Sequence, residues 1–170
     1  LAQFGNQFEG YLRTAFRENT PVDQVVRRVV SVGLTVNTQN PMFRFVQATG
    51  GDPAAQQITG FYSANEARPE NLGSAVSRLF LGMKLECAQC HDHPFAPYTR
   101  DQFWQFAAFF AELNPLAGPR PGFVGPIQPQ ADRNTIGVMG QDRKVTATFF
   151  DGTVPAWSVE KTPREELAEW

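Results

Sequence analysis

All the cysteine and all the histidine of this 170-residue chain lies between positions 87 and 93: Cys87, Cys90, His91 and His93. That clustering removes one class of fold. A bridge between cysteines with two residues between them closes almost no loop, so a disulfide scaffold is excluded. The chain must be held by a hydrophobic core, and it has the material: 42% of its residues are apolar, 19% are charged and fifteen are Phe. At this length the core serves one domain, or one domain with a trailing segment. The formal net charge of -2 offers no basic face of the kind nucleic acid requires. No apolar run approaches the roughly 18 residues of a membrane span. The chain begins at Leu1, not Met, without a basic, apolar, small-residue leader. It therefore reads as processed or cut from something longer, as an exported protein without its signal would.

Periodicity places most of that core on helices. Phe4, Phe8, Tyr11, Leu12, Ala15 and Phe16 recur at helical spacing. A second helix follows, with Thr20 as its expected cap, Pro21 in its first position and Val22, Val25, Val26, Val29 and Val30 as its buried stripe. Residues 37–62 read as less regular, with Met42, Phe43, Phe45 and Val46 in a short helix or turn, and Thr49-Gly50-Gly51-Asp52-Pro53 as a loop. Pro69 opens a helix whose face carries Leu72, Ala75, Val76, Leu79, Phe80 and Met83 and which leads towards Cys87. Thr99 and Gln102 form a capping box for a helix reaching about Leu113, with Phe103, Phe106, Ala107 and Phe110 on one face. Residues 114–137 are rich in Pro and Gly and read as a long irregular loop. Residues 135–150 suggest a hairpin turning near Gly140-Gln141-Asp142. Thr162-Pro163-Arg164-Glu165 is a further helix start.

The fold expected is thus mostly α: helices packed around one cofactor, with a small peripheral β hairpin and long Pro/Gly loops. The expected organisation is a helical domain over residues 1–113, an irregular segment with a hairpin over 114–162, and the start of a truncated helix or domain over 163–170.

Cys87-Ala88-Gln89-Cys90-His91 has the C-x-x-C-H spacing of a covalent haem attachment site. Two thiols with two residues between them can reach the two vinyl groups of one porphyrin and form thioethers. The next residue then gives its imidazole to the iron. Haem c, held by Cys87, Cys90 and His91 with His91 as the metal ligand, is the expected cofactor. The second ring nitrogen of His91 should donate to a backbone carbonyl and so set its tautomer. Other chemistries use the same residues. Cys87, Cys90, His91 and His93 are four zinc ligands by type, although the adjacency of Cys90 and His91 strains convergence on one tetrahedral ion. A redox-active Cys-x-x-Cys is a further reading, as is a pair of buried thiols beside a core histidine.

Leu79-Phe80-Leu81-Gly82, then Cys87 to Phe95, then Phe103 to Phe110, resembles the planctomycete cytochrome c-like domain family. The close similarity runs over about residues 72–113, looser similarity extends upstream to the amphipathic segments, and the tail 163–170 is similar to the opening of a domain that commonly follows. Ala96 stands where this family more often has Asp, which removes a carboxylate role there and leaves the haem motif intact. The resemblance implies an exported haem protein, and implies no reaction.

His93 is too close in sequence to reach the opposite face of the same iron, and is expected as a hydrogen-bonding partner near the haem edge. Met42, Met83 and Met139 are the thioether candidates for that face, each more often a core filler than a ligand; with none of them bound, the iron is five-coordinate or carries water. Phe80, Phe103, Trp104, Phe106 and Phe110 flank the motif, and about half of them are expected to touch the cofactor. Asp92 is expected to be a solvated or capping group. No paired carboxylate or serine–histidine arrangement stands out. The function expected is extracytoplasmic, periplasmic-type electron transfer towards a redox partner protein or a neighbouring domain of the parent chain. A haem-bearing accessory domain of a larger enzyme and a zinc-stabilised interaction module are the alternatives. A stand-alone enzyme is the less favoured reading.

Overall fold

Residues 2–37, 45–113 and 133–170 are described by the structure, a computed structural model. They form six α-helices, two 3-10 segments and two antiparallel strand pairs. No helix among the described residues is long and apolar enough to cross a membrane.

Helix α1, Ala2–Arg17, buries Tyr11 and Ala15 and half-buries Phe8 and Leu12. Phe16 faces solvent, so the buried stripe is narrower than its apolar spacing suggests. Helix α2, Val22–Ser31, starts one residue later than expected, with Pro21 in the capping position. Thr20 therefore lies outside the helix and makes no cap, and Val22 in the first turn is exposed. Val25, Val29 and Val30 carry the helix into the core, which offsets the low helix propensity of valine.

The described part of the stretch expected to be irregular, residues 45–62, is ordered. Strand β1, Leu34–Asn37, pairs antiparallel with β2, Phe45–Ala48, placing Leu34 opposite Ala48. Leu34 and Val46 point into the core while Thr35 and Gln47 face out, the two-residue alternation of a half-buried strand. Phe45 and Val46 thus belong to a strand, not to a short helix or turn; Met42 and Phe43 lie outside the described residues. Gly50 and Gly51 both take positive φ (86° and 72°), a turn open to glycine at no steric cost. The turn delivers Asp52 as the cap of helix α3, Pro53–Ala64, where its carboxylate accepts from the Ala54 amide at 2.9 Å. The Arg28 guanidinium on Asp52, with that amide, holds the carboxyl below its ordinary range. Helix α3 is a central element: Ile58, Phe61 and Tyr62 are buried, and Phe61 meets Phe8 of α1 at 5.3 Å between ring centroids.

Helix α4, Pro69–Phe80, and helix α5, Arg100–Ala107, pack directly on each other. At Gly73 an added Cβ would lie 3.2 Å from the Ala107 Cα, so a residue without a side chain permits this close approach. The expected capping box of Thr99 and Gln102 opens α5. The helix tightens to 3-10 over Ala108–Leu113, and Phe103, Phe106, Phe109 and Phe110 are all buried. Leu79 is exposed, and α4 ends before Met83, so the apolar face read from the sequence stops short.

The C-terminal hairpin forms as expected, with β3, Thr135–Gly137, against β4, Lys144–Thr146, and Gly140 at φ 71° in the turn. Helix α6, Pro163–Glu169, has the expected box of Thr162 and Glu165. It docks against α2 through a buried cation. Arg164 donates through Nε to Glu112 Oε1 at 2.7 Å, and through Nη1 to the carbonyls of Val30 and Val32 at 3.1 and 2.7 Å. The Tyr62 hydroxyl lies 3.3 Å from Nη1 and itself donates to Val29 O. Burial pushes the Tyr62 phenol above its ordinary pKa, so it is a neutral partner at pH 7.

Candidate functional site

The segment between α4 and α5 carries the cysteines and histidines. The chain leaves α4 through Gly82, at φ 67°, while the Met83 amide returns to Ser77 O at 2.9 Å. A single 3-10 turn, Glu86–Gln89, follows. Side chains three apart eclipse on a 3-10 turn, which sorts this short stretch into two faces. Leu85 and Ala88, three apart, are fully buried and anchor it. Cys87 and Cys90, also three apart, are both solvent-exposed free thiols. The two-residue gap therefore places both sulfur-bearing residues on the outer face while the intervening positions hold the turn to the core.

The turn is tied on both sides. Arg78 of α4 bonds Glu86 at 2.7 Å, and the Trp104 indole of α5 donates to Gln89 O at 3.1 Å. Replacing Trp104 by Phe keeps most of the ring and removes this donor. The expected cost is about 1 kcal/mol, read as a lower urea midpoint at unchanged slope.

His91 is exposed, and its Nδ1 lies 2.7 Å from the Asp92 carbonyl oxygen. A carbonyl only accepts, so this nitrogen carries the proton and donates; in the neutral ring Nε2 then keeps its lone pair. That is the orientation expected of a metal-ligating imidazole. The Asp92 carboxylate accepts from the Arg100 amide at 2.8 Å, satisfying one of the free donors at the start of α5. Asp92 is thus the local cap anticipated for it.

His93 is wired the opposite way. Its Nδ1 accepts from the Phe95 amide at 3.1 Å, so in the neutral ring the proton sits on Nε2. Its own amide donates to Tyr98 O at 2.8 Å, and its ring meets Tyr98 and Phe95 edge-on. The network holds Phe95 almost wholly in solvent, 93% exposed. Among the described residues no three His, Cys, Asp or Glu side chains gather as a metal-binding group. The structure places Cys87, Cys90 and His91 together on one exposed stretch and gives His93 a separate, structural set of partners.

The aromatic residues flanking the motif lie largely in the core. Phe103, Trp104, Phe106 and Phe110 are buried among protein side chains and do not border the thiols as an open pocket. Phe106 stacks on Phe150 at 4.6 Å, and neighbouring Phe109 stacks on Phe149 at 5.0 Å and meets Trp157. Phe80 is half-buried against Phe61. Trp104 alone of the five hydrogen-bonds to the motif turn among the described contacts. Of the thioethers, Met83 is half-buried against the core, Met139 is exposed, and Met42 lies outside the described residues.

Arg100 is the site residue that sequence reading missed. Its amide meets Asp92, and its guanidinium reaches the Met139 carbonyl, 39 positions away, a pairing no local pattern signals.

A family model described as PSCyt2, protein of unknown function (DUF1549), planctomycete-associated, matches residues 2–115. The match takes in α1 to α5, covering both the close similarity over 72–113 and the looser similarity upstream of it. Comparison with curated proteins and with solved structures finds no match.

Proposed function

We propose that this chain, which belongs to the PSCyt2 family of unknown function, is a c-type cytochrome domain carrying electrons outside the cytoplasm, with one haem c held by Cys87, Cys90 and His91. The observation that carries this reading is the His91 Nδ1 contact with the Asp92 carbonyl, which in the neutral ring leaves the Nε2 lone pair free, on the same exposed stretch as two free thiols. The donor set fits the group: two free sulfurs on one face, then an imidazole with an available lone pair. Bound haem supplies one-electron chemistry between ferric and ferrous iron.

The chain's own residues do the rest. Cys87 and Cys90 would hold the group through their sulfurs, and His91 would supply its imidazole nitrogen to the iron. The Asp92 carbonyl orients that base, and Trp104 and Arg78 keep the turn seated. A zinc site is less well supported, because ligation by His93 Nε2 would require moving its proton and giving up the Phe95 contact. Covalent haem attachment belongs to export, so we place the domain outside the cytoplasm. Its electrons pass to a redox partner protein or to an adjoining domain.

The test is the visible spectrum of exported protein, ferric and then dithionite-reduced, after acid–acetone extraction. A Soret band and a sharp α band that survive extraction are the expected result. Folded, exported protein without haem absorbance would overturn the reading.

A further inference from the structure

Helices α1, α2 and α3 leave a polar cleft of about 140 Å³ between them. The turn that joins the first two helices helps to open it. The Thr20 amide returns to Ala15 O at 2.9 Å and Asn19 takes φ 53°, so the chain turns out of α1 before α2 begins. Ala15 and Ala54 line the cleft with side chains too small to fill it.

The rest of the lining is mostly polar and unpaired. Tyr11 of α1 is 5% exposed, yet its hydroxyl has no hydrogen-bond partner among the described residues. Buried polar side chains ordinarily have one, so a hydroxyl left open beside a cleft marks a place for a ligand group. Burial raises the phenol above its ordinary pKa, which keeps it neutral and able to both donate and accept. Thr14 adds a hydroxyl, and Gln24 and Gln57 add amides, none of them hydrogen-bonded through its side chain to another described residue. Charge narrows the ligand class. The Arg28 guanidinium is held by Asp52, and the Glu18 carboxylate has no basic partner among the described residues. The surplus negative charge disfavours an anion, and Arg28 on the same wall disfavours a cation. Hydroxyls and amides match a ligand whose own groups donate and accept, as hydroxyls do. The volume is close to that of a cavity that takes benzene, about 150 Å³, so it accommodates one six-membered ring.

We infer that this cleft binds one neutral, hydroxyl-bearing ring, a monosaccharide that is free or the end unit of a longer sugar chain. The site shares no residue with the Cys87–His91 stretch and does not rest on the reading proposed above.

The experiment follows the side-chain amide NMR signals of Gln24 and Gln57 in nitrogen-labelled protein as D-glucose, D-galactose, maltose or lactose is added. The two disaccharides present the same two rings as end units. At least one sugar should shift both signals to saturation while the Trp104 indole signal stays in place. Tyr11→Phe keeps the buried ring and should weaken binding about fivefold, the worth of one hydrogen bond. Ala54→Leu fills the cleft and should abolish binding. A disaccharide that binds more tightly than its single ring assigns the site to the end of a chain; equal or weaker binding assigns it to a free ring. No saturable shift with any of the four sugars would overturn the inference. So would a shift unchanged by Tyr11→Phe or kept by folded Ala54→Leu, or saturation by sodium acetate or ethylammonium chloride in place of sugar.

Discussion

Replacing Arg164 by Met lowers the free energy of unfolding by about 3–5 kcal/mol, the usual cost of breaking a buried ion pair from one side. The side chains of Arg164 and Glu112 are 3% and 2% exposed, so neither is reached by solvent that could screen the loss. Burial alone would push the Arg164 charge down; the facing Tyr62 and Glu112 reverse this and hold it above its ordinary value. Met fills much of the volume but leaves the Glu112 carboxylate without a counter-charge and the Val30 and Val32 carbonyls without this donor. The check is the urea midpoint of the single variants and of Arg164→Met with Glu112→Met. The double variant should recover most of the loss, since replacing both partners with apolar groups is often near neutral. A single-variant cost under about 1 kcal/mol would mean that the pair is solvated.

The second large effect is chemical. Cys87→Ser with Cys90→Ser should release all haem on acid–acetone extraction, whereas either single variant keeps one thioether and retains haem. Both thiols are exposed and neither belongs to the buried core, so the double change should move stability by no more than about 0.5 kcal/mol. Equal thermal midpoints of the apo forms would show that lost haem is lost attachment and not lost fold. Haem that resists extraction from the double variant would exclude these sulfurs as its anchors.

The sequence was most informative where the signal is local. The capping boxes at Thr99 and Thr162, the C-terminal hairpin and the stripe of Val25 and Val29 were all legible, because each depends on residues a few positions apart. The orientation of His91 was legible for the same reason: its partner is the next residue. Helix α3 was not. Its buried positions include Ala55, Ile58, Thr59, Gly60, Phe61 and Tyr62, which run round the helix and give no clean stripe. Its cap, Asp52, sits behind two glycines and reads as part of a loop. The partners of the aromatic residues after the motif were illegible for a related reason. Phe106 and Phe109 find their partners at positions 149–157, and helical periodicity says that a face is buried without saying by what. Arg164 gave no hint of burial, since an arginine in a first helical turn is ordinarily a surface residue.

Arg164 also sets a schedule. Its guanidinium joins carbonyls at positions 30 and 32, a separation of 134 residues in one case and 132 in the other. Contacts this distant close late, after much chain entropy has been lost. During synthesis the groups that meet Arg164 are all made before it, and they wait until α6 has left the ribosome. Until then, α2 lacks the covering element that seals its end of the core. A nascent chain of this kind stays loosely folded for longer than its helix content suggests.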